Sequence, residues 1–155
     1  MEEEENVFRY LNKDEVKKII DLIEKVEDDD IRSRLYLVTL GYKSIEVQNF
    51  TLDEAISMIG DKDVPEVIRK SIEKSYLKRT KTIEEENLES EDNKYLFVRN
   101  NIHIHDEILL RDWRRFLKQN NLGNINIQIF RQSINNLNLI EKYHNVIDKG
   151  LEFNW

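Results

Sequence analysis

Four times in the first 80 residues a capping residue precedes apolar side chains at helical spacing, and this punctuation confines that stretch to a small helical bundle. Asn12 is placed to cap a helix carrying Val16, Ile19, Ile20, Ile23 and Val26 on one face. Asp28, Asp29 and Asp30 interrupt it and put negative charge where the next helix dipole favours it. That helix, Ile31 to Leu40, ends at Gly41, a residue suited to left-handed termination. Thr51 and Glu54 have capping-box spacing ahead of Leu52, Ala55, Ile56 and Ile59, with Gly60 as the stop. Asp63 is expected to cap a fourth helix with Pro65 in its first turn and Val64, Val67, Ile68, Ile72 and Tyr76 as its stripe.

The chain then changes character. Residues 80–94 hold one Ile and one Leu among acids and amides, too little apolar surface to offset the entropy of ordering. They are expected to form a charged, mobile linker. Beyond it, Tyr95 to Arg99 and Ile102 to His105 read as strands around an Asn100-Asn101 turn. Asp106 opens a helix to about Asn120 with Leu109, Leu110, Trp113, Phe116 and Leu117 on its apolar side, ended by Gly123. A second helix spans roughly Ile125 to Leu137 and buries Ile127, Phe130, Ile134 and Leu137. In the tail, 139–155, Leu151, Phe153 and Trp155 alternate after an Asp148-Lys149-Gly150 turn, which predicts a closing β-hairpin.

The net charge of −7 divides unevenly at the linker. From Tyr95 onward there are eight basic against six acidic residues and eleven of the sixteen Asn; the first 94 residues hold 16 basic against 25 acidic. Without Cys, disulfide scaffolds, thiolate zinc sites and Cys nucleophiles are excluded, and four Gly build no phosphate-cradling loop. No apolar run reaches the ~18 residues of a spanning helix. The start Met1-Glu2-Glu3-Glu4-Glu5 is the opposite of a positively charged leader, so a soluble cytoplasmic protein, or one inside an infected host cell, is expected.

Two polar helix faces in the second part point to a partner. Arg111, Arg114, Arg115 and Lys118 fall at i, i+3, i+4 and i+7, a cationic stripe suited to nucleic-acid phosphates. The same stripe also suits a solvated face whose Arg stems cover apolar neighbours. On the following helix Gln128, Arg131, Gln132 and Asn135 repeat the spacing, and these side-chain types pair with adenine and guanine edges. A face chosen for solubility would favour Glu and Lys, yet no acid occurs between Asp112 and Glu141. An AT-rich coding bias is the bland alternative, which the clustering of Asn in the second part fits poorly.

The stretch Leu109-Leu110-Arg111-Asp112-Trp113-Arg114-Arg115-Phe116, then Ile127-Gln128-Ile129-Phe130-Arg131-Gln132-Ser133-Ile134, then Gly150-Leu151-Glu152-Phe153 resembles a winged-helix domain. It is similar to the one that closes many primase–helicases of phages, mobile elements and large DNA viruses. That resemblance, over 45 to 50 residues, implies duplex or junction binding without catalysis, with Gln128 to Asn135 on the recognition helix and 139–155 as the wing.

Other constellations carry less. His103 and His105 lie two apart on a presumed strand, a spacing able to chelate a metal, but no second ligand pair accompanies them, so neither metal nor cofactor is expected. Acidic residues sit in solvated runs without the apolar context that tunes catalytic carboxylates, and Ser71 and Ser75 are expected to bond back to their own helix. No enzyme activity is expected. Lys70, Lys74, Lys78 and Lys81 line one side of the fourth helix, where Glu66 and Glu73 favour i, i+4 pairing.

The expectation is therefore an α+β, mainly α chain: an acidic four-helix lobe at 1–79, a linker at 80–94 and a winged-helix-like lobe with β-hairpins at 95–155. The second lobe would bind nucleic acid, duplex DNA first, as a replication or transcription accessory of a phage, virus or mobile element. The first would recruit a protein or a second copy, away from any membrane. The alternative is an acidic adaptor or inhibitor that covers a partner protein without touching nucleic acid.

Overall fold

The computed structural model describes residues 6–7 and 9–147, with side chains described over 9–105 and 107–138. Its described residues are mainly helical with short β elements. Strand β1 (Asn6–Val7) leads into helices α1 (Lys13–Glu24), α2 (Asp29–Thr39), α3 (Ser44–Gln48), α4 (Leu52–Ile59) and α5 (Glu66–Glu85). A 3-10 turn at Glu91–Lys94 precedes the hairpin β2 (Val98–Arg99) and β3 (Ile102–His103), helix α6 (Asp106–Gln119), β4 (Asn124–Ile125) and α7 (Ile127–Ile147). No helix among the described residues is long and apolar enough to cross a membrane.

The caps act largely where the sequence places them. Asn12 accepts from Glu15 N–H at 2.9 Å while Glu15 returns a bond to Asn12 N–H at 3.1 Å. Thr51 and Glu54 form the same reciprocal box, and Asp28 accepts from the N–H groups of Asp30 and Ile31. Gly41, at φ 96°, takes the left-handed position after α2. Asp63 does not cap α5: Pro65 is the residue before its first turn. The first part also holds a fifth helix, the five-residue α3, entered through a bond from Lys43 N–H to Glu46 at 2.9 Å.

The stretch expected as a mobile linker is structured. Helix α5 continues through Glu85, and the guanidinium of Arg79 donates to the carbonyls of Tyr95 and Asp92, each at 3.0 Å. Asn93 closes the turn by donating to Leu88 O at 2.8 Å. Composition alone misreads this segment, because contacts from outside it hold it: Arg79 on the Asp92 and Tyr95 carbonyls, Asn101 on Glu86 and His103 N–H on Asp92. The expected closing hairpin is also corrected: α7 runs on to Ile147, so residues 139–147 are helical. The rest of that expectation, 148–155, lies outside the described residues. The hairpin before α6 is present, with Asn100 and Asn101 at φ 52° and 64° as a two-residue turn.

One hydrophobic cluster runs from Leu11 and Val16 through Leu35, Phe50 and Ile72 to Phe97, Trp113, Phe130 and Ile134. Helix α2 is its axis: Leu35, Tyr36, Leu37 and Val38 are all buried, so this helix packs on every side. Against α5 it sets a small polar seam, Ser33 Oγ lying 2.9 Å from Ser71 and 2.8 Å from Ser75. Those serines thus bond across helices rather than only back along their own. Parallel pairing of Asn6 with Asn124 and Val7 with Ile125 ties the start of the chain to the entry of α7. Against α6, α2 makes a buried ion pair, Arg34 Nε to Asp112 Oδ2 at 2.8 Å, with the guanidinium 5.3 Å from the Phe97 ring centre.

Removing one member of that pair strands a buried charge. Arg34→Met or Asp112→Leu alone is expected to cost about 3–5 kcal/mol in urea unfolding, and the double variant far less than their sum. Burial pushes the Asp112 carboxyl above its ordinary 3.8, against the pull of Arg34. The native state then holds this proton more tightly than the unfolded chain, so the contribution of Asp112 grows as pH falls through the folded value towards 3.8. Asp112→Asn should therefore lag the wild type by more at pH 4 than at pH 7. At the hairpin, Asn100→Gly should hold stability while Asn100→Val costs about 1–2 kcal/mol, read from urea midpoints.

Candidate nucleic-acid interface

Helix α6 is strongly two-faced. Leu109, Trp113, Phe116 and Leu117 are buried, and Trp113 stacks on Phe130 of α7 at 4.9 Å while its indole N–H donates to Ile125 O at 2.7 Å. The helix closes when Asn121 turns left-handed at φ 54° and Leu122 N–H reaches back to Leu117 O at 2.9 Å. Asn121, not Gly123, is the stop. With the aromatic side fixed inward, Arg111, Arg114, Arg115 and Lys118 are all exposed.

The one acid among them points the other way. Asp112 is 6% exposed and bound to Arg34, so the surface of residues 108–138 presents five cations, the four of α6 and Arg131, and no exposed carboxylate. Carboxylates do approach from the neighbouring element. Arg111 and Arg115 line a groove of about 230 Å³ whose far side carries Asp28 and Asp30 at the start of α2. The groove continues past Arg115 into a second, about 420 Å³, where Gln119 faces Lys25 and Glu27. Arg114 and Lys118 line neither groove and sit further round the helix.

Helix α7 starts at a side-chain cap: Asn126 accepts from Gln128 N–H at 2.7 Å and Ile129 N–H at 3.3 Å. Its inner face buries Ile127, Phe130, Ser133 and Ile134, and Ser133 Oγ accepts from Leu11 N–H at 2.9 Å, fixing the helix on the start of α1. Gln128, Gln132 and Asn135 are exposed and Arg131 is half-buried. Among the described residues, none of the eight side chains on the two faces takes part in a hydrogen bond or ion pair. The Trp113–Phe130 stack joins the inward sides of the two helices, so each polar face lies on the side of its helix turned away from that stack.

The remaining candidates resolve into structural contacts. His103 stacks on Tyr95 at 3.6 Å and its Nε2 donates to Gln48 O at 2.7 Å, while His105 is the residue before α6. No group of three or more potential metal ligands occurs among the described residues. Lys70 and Lys81 pair with Glu66 and Glu85 one turn away, and Lys78 reaches across to Asp30 at 3.0 Å. Arg99, exposed at the end of β2, also lines the groove beside Arg111; its only signal in the sequence is its place before the Asn-Asn turn.

No family model, no curated protein and no solved structure matches this chain.

Proposed function

We propose that this protein is a non-enzymatic nucleic-acid-binding accessory factor that meets duplex DNA through α6 and α7. The observation that carries this reading is the burial of Asp112 against Arg34, which leaves residues 108–138 with four exposed cations and the half-buried Arg131 and no exposed carboxylate, Glu107 at the start of α6 being the exposed acid nearest in sequence. Arg111, Arg114, Arg115 and Lys118 would hold phosphates, whose contacts position without reading sequence. Gln128, Arg131, Gln132 and Asn135 would meet base edges, since amide and guanidinium groups offer the paired donors and acceptors that the major groove requires. In this reading α6 and α7 serve as the helix pair of a winged-helix-like reader, and the first part of the chain recruits a protein or a second copy. The setting would be replication or transcription in a phage, virus or mobile element.

A second reading has its own support. A groove of about 500 Å³ between α4 and the end of α2 sets Asp53, Glu54 and Asp61 around Tyr42 and Met58, chemistry suited to a basic protein segment. An adaptor working through that groove would leave α6 and α7 without nucleic acid.

Fluorescence anisotropy with a generic duplex across a salt series separates the two. Four phosphate contacts predict a slope of about −3.6 in log affinity against log salt. Arg111→Glu, Arg114→Glu and Arg115→Glu together should abolish binding at 100 mM salt; unchanged affinity overturns the proposal. Gln128→Ala with Gln132→Ala should instead leave the salt slope unchanged and narrow the preference among duplex sequences by about tenfold.

A further inference from the structure

The buried ion pair that joins α2 to α6 leaves part of each member unused. Arg34 donates Nε to Asp112 Oδ2 at 2.8 Å, while its Nη1 and Nη2 make no hydrogen bond among the described residues. Asp112 Oδ1 is likewise without one. Each residue is only 6% exposed, yet none of these three atoms is fully closed off, so the little surface the pair keeps includes free polar atoms. Both residues line the groove of about 230 Å³ bordered by the start of α2, the β2–β3 hairpin and α6. The guanidinium lies 5.3 Å from the centre of the Phe97 ring, which backs it from the core.

The groove thus holds a donor edge beside an acceptor edge, charged on both sides and neutral in sum. A simple anion gains little there, since the carboxylate repels what the guanidinium attracts. The pair suits a flat ligand edge that sets an acceptor next to donors. Guanine has that order on its pairing edge, where O6 accepts and N1–H and N2–H donate. Half-buried Ile31, Val98 and Ile108 with buried Ile104 supply aliphatic walls for the faces of a ring. At about 230 Å³ the space is below the ~300–1,000 Å³ of pockets for drug-sized molecules, and it fits one ring system rather than a length of peptide.

The rim supplies charge for a phosphate. Exposed Arg99, Arg111 and Arg115 also line the groove, and their side chains make no hydrogen bond or ion pair among the described residues. Of the acids in the lining, Asp112 is matched by Arg34 and Asp30 by Lys78 at 3.0 Å, while Asp28 caps α2. Three unpaired guanidinium groups therefore stand against one unpaired carboxylate.

We propose that this groove binds one unpaired guanine, edge-on to Arg34 and Asp112, with its phosphate at the arginine rim. The inference rests on the nucleic-acid reading in taking a nucleotide as the ligand, and it adds a contact that a paired base cannot make. Guanine here has two sources, a free nucleotide or an unpaired position of a strand, and both present the same edge.

The test is calorimetric titration of guanosine 5′-monophosphate into the full chain at low salt and near-neutral pH, beside adenosine 5′-monophosphate and inorganic phosphate. The wild type should bind the guanine nucleotide at one saturable site, about tenfold or more tighter than the adenine nucleotide, whose amino group replaces the O6 acceptor. Asp112→Asn should erase that preference; the readout is the ratio of the two affinities, which the charge freed on Arg34 does not move. Ile108→Trp fills the groove with the ion pair intact and should abolish binding of both nucleotides, with circular dichroism checking that each variant is folded. No saturable site in the wild type, equal affinity for the two nucleotides, or inorganic phosphate bound as tightly as the guanine nucleotide overturns the proposal. The salt series with blunt duplex is a separate reading, so either proposal can fail while the other stands. Competition then assigns the source: stronger displacement by a duplex with one overhanging guanine than by its blunt twin identifies a strand position, and equal displacement the free nucleotide, each upholding the groove as a guanine site.

Discussion

The Arg34–Asp112 pair is the contact on which both the fold and its surface depend. It crosses 78 residues of sequence to join α2, the axis of the core, to α6, the helix that carries the cationic face. As a source of stability a buried ion pair is weak, since desolvation offsets most of its attraction. Its effect is on geometry and on charge. Holding Asp112 inward fixes which side of α6 meets the core, and the same turn of the helix sends Arg111, Arg114, Arg115 and Lys118 outward. It also takes the only acid between residues 108 and 138 off the surface.

Much of this was legible in the sequence where local chemistry decides the outcome. Asn12 and Thr51 cap their helices because a short acceptor followed by Glu three residues on satisfies free N–H groups whatever the rest of the chain does. Asn100-Asn101 makes its turn because Asn tolerates positive φ. The exposed positions of the two polar faces follow from helical period and from Trp113, Phe116 and Phe130 taking the inside.

What escaped is set by contacts distant in sequence. Residues 80–94 are held in part by Arg79, whose partners are carbonyls 13 and 16 residues ahead, and carbonyls carry no residue-type signal. Helix α3 is too short for a period to show. In the tail, alternation at Leu151, Phe153 and Trp155 suggested a strand, while the spacing of Phe130, Ile134, Leu137 and Ile140 already continues one helical row past the expected end. The role of Asp112 was invisible too: in sequence it interrupts a basic run, and only its partner in α2 turns that interruption into a clean surface.

A net charge of −7 argues against nucleic acid only if all charges act together, and they do not. In physiological salt the screening length is about 8 Å, so exposed acids further away than that weigh little on α6. Exposed Glu107 stands one turn before Arg111 on α6 itself, and Asp28 with Asp30, the latter shared with Lys78, borders the groove beside Arg111 and Arg115. Those two hold potential down on that flank of the helix, while Arg114 and Lys118, outside the groove, face no such neighbours in it. The field of α6 is therefore uneven, lowered beside α2 by the acids of the groove and at the start of the helix by Glu107. Placement of a few carboxylates, one buried, two at a groove edge and one at the start of α6, thus shapes that field more than the sum of charges does.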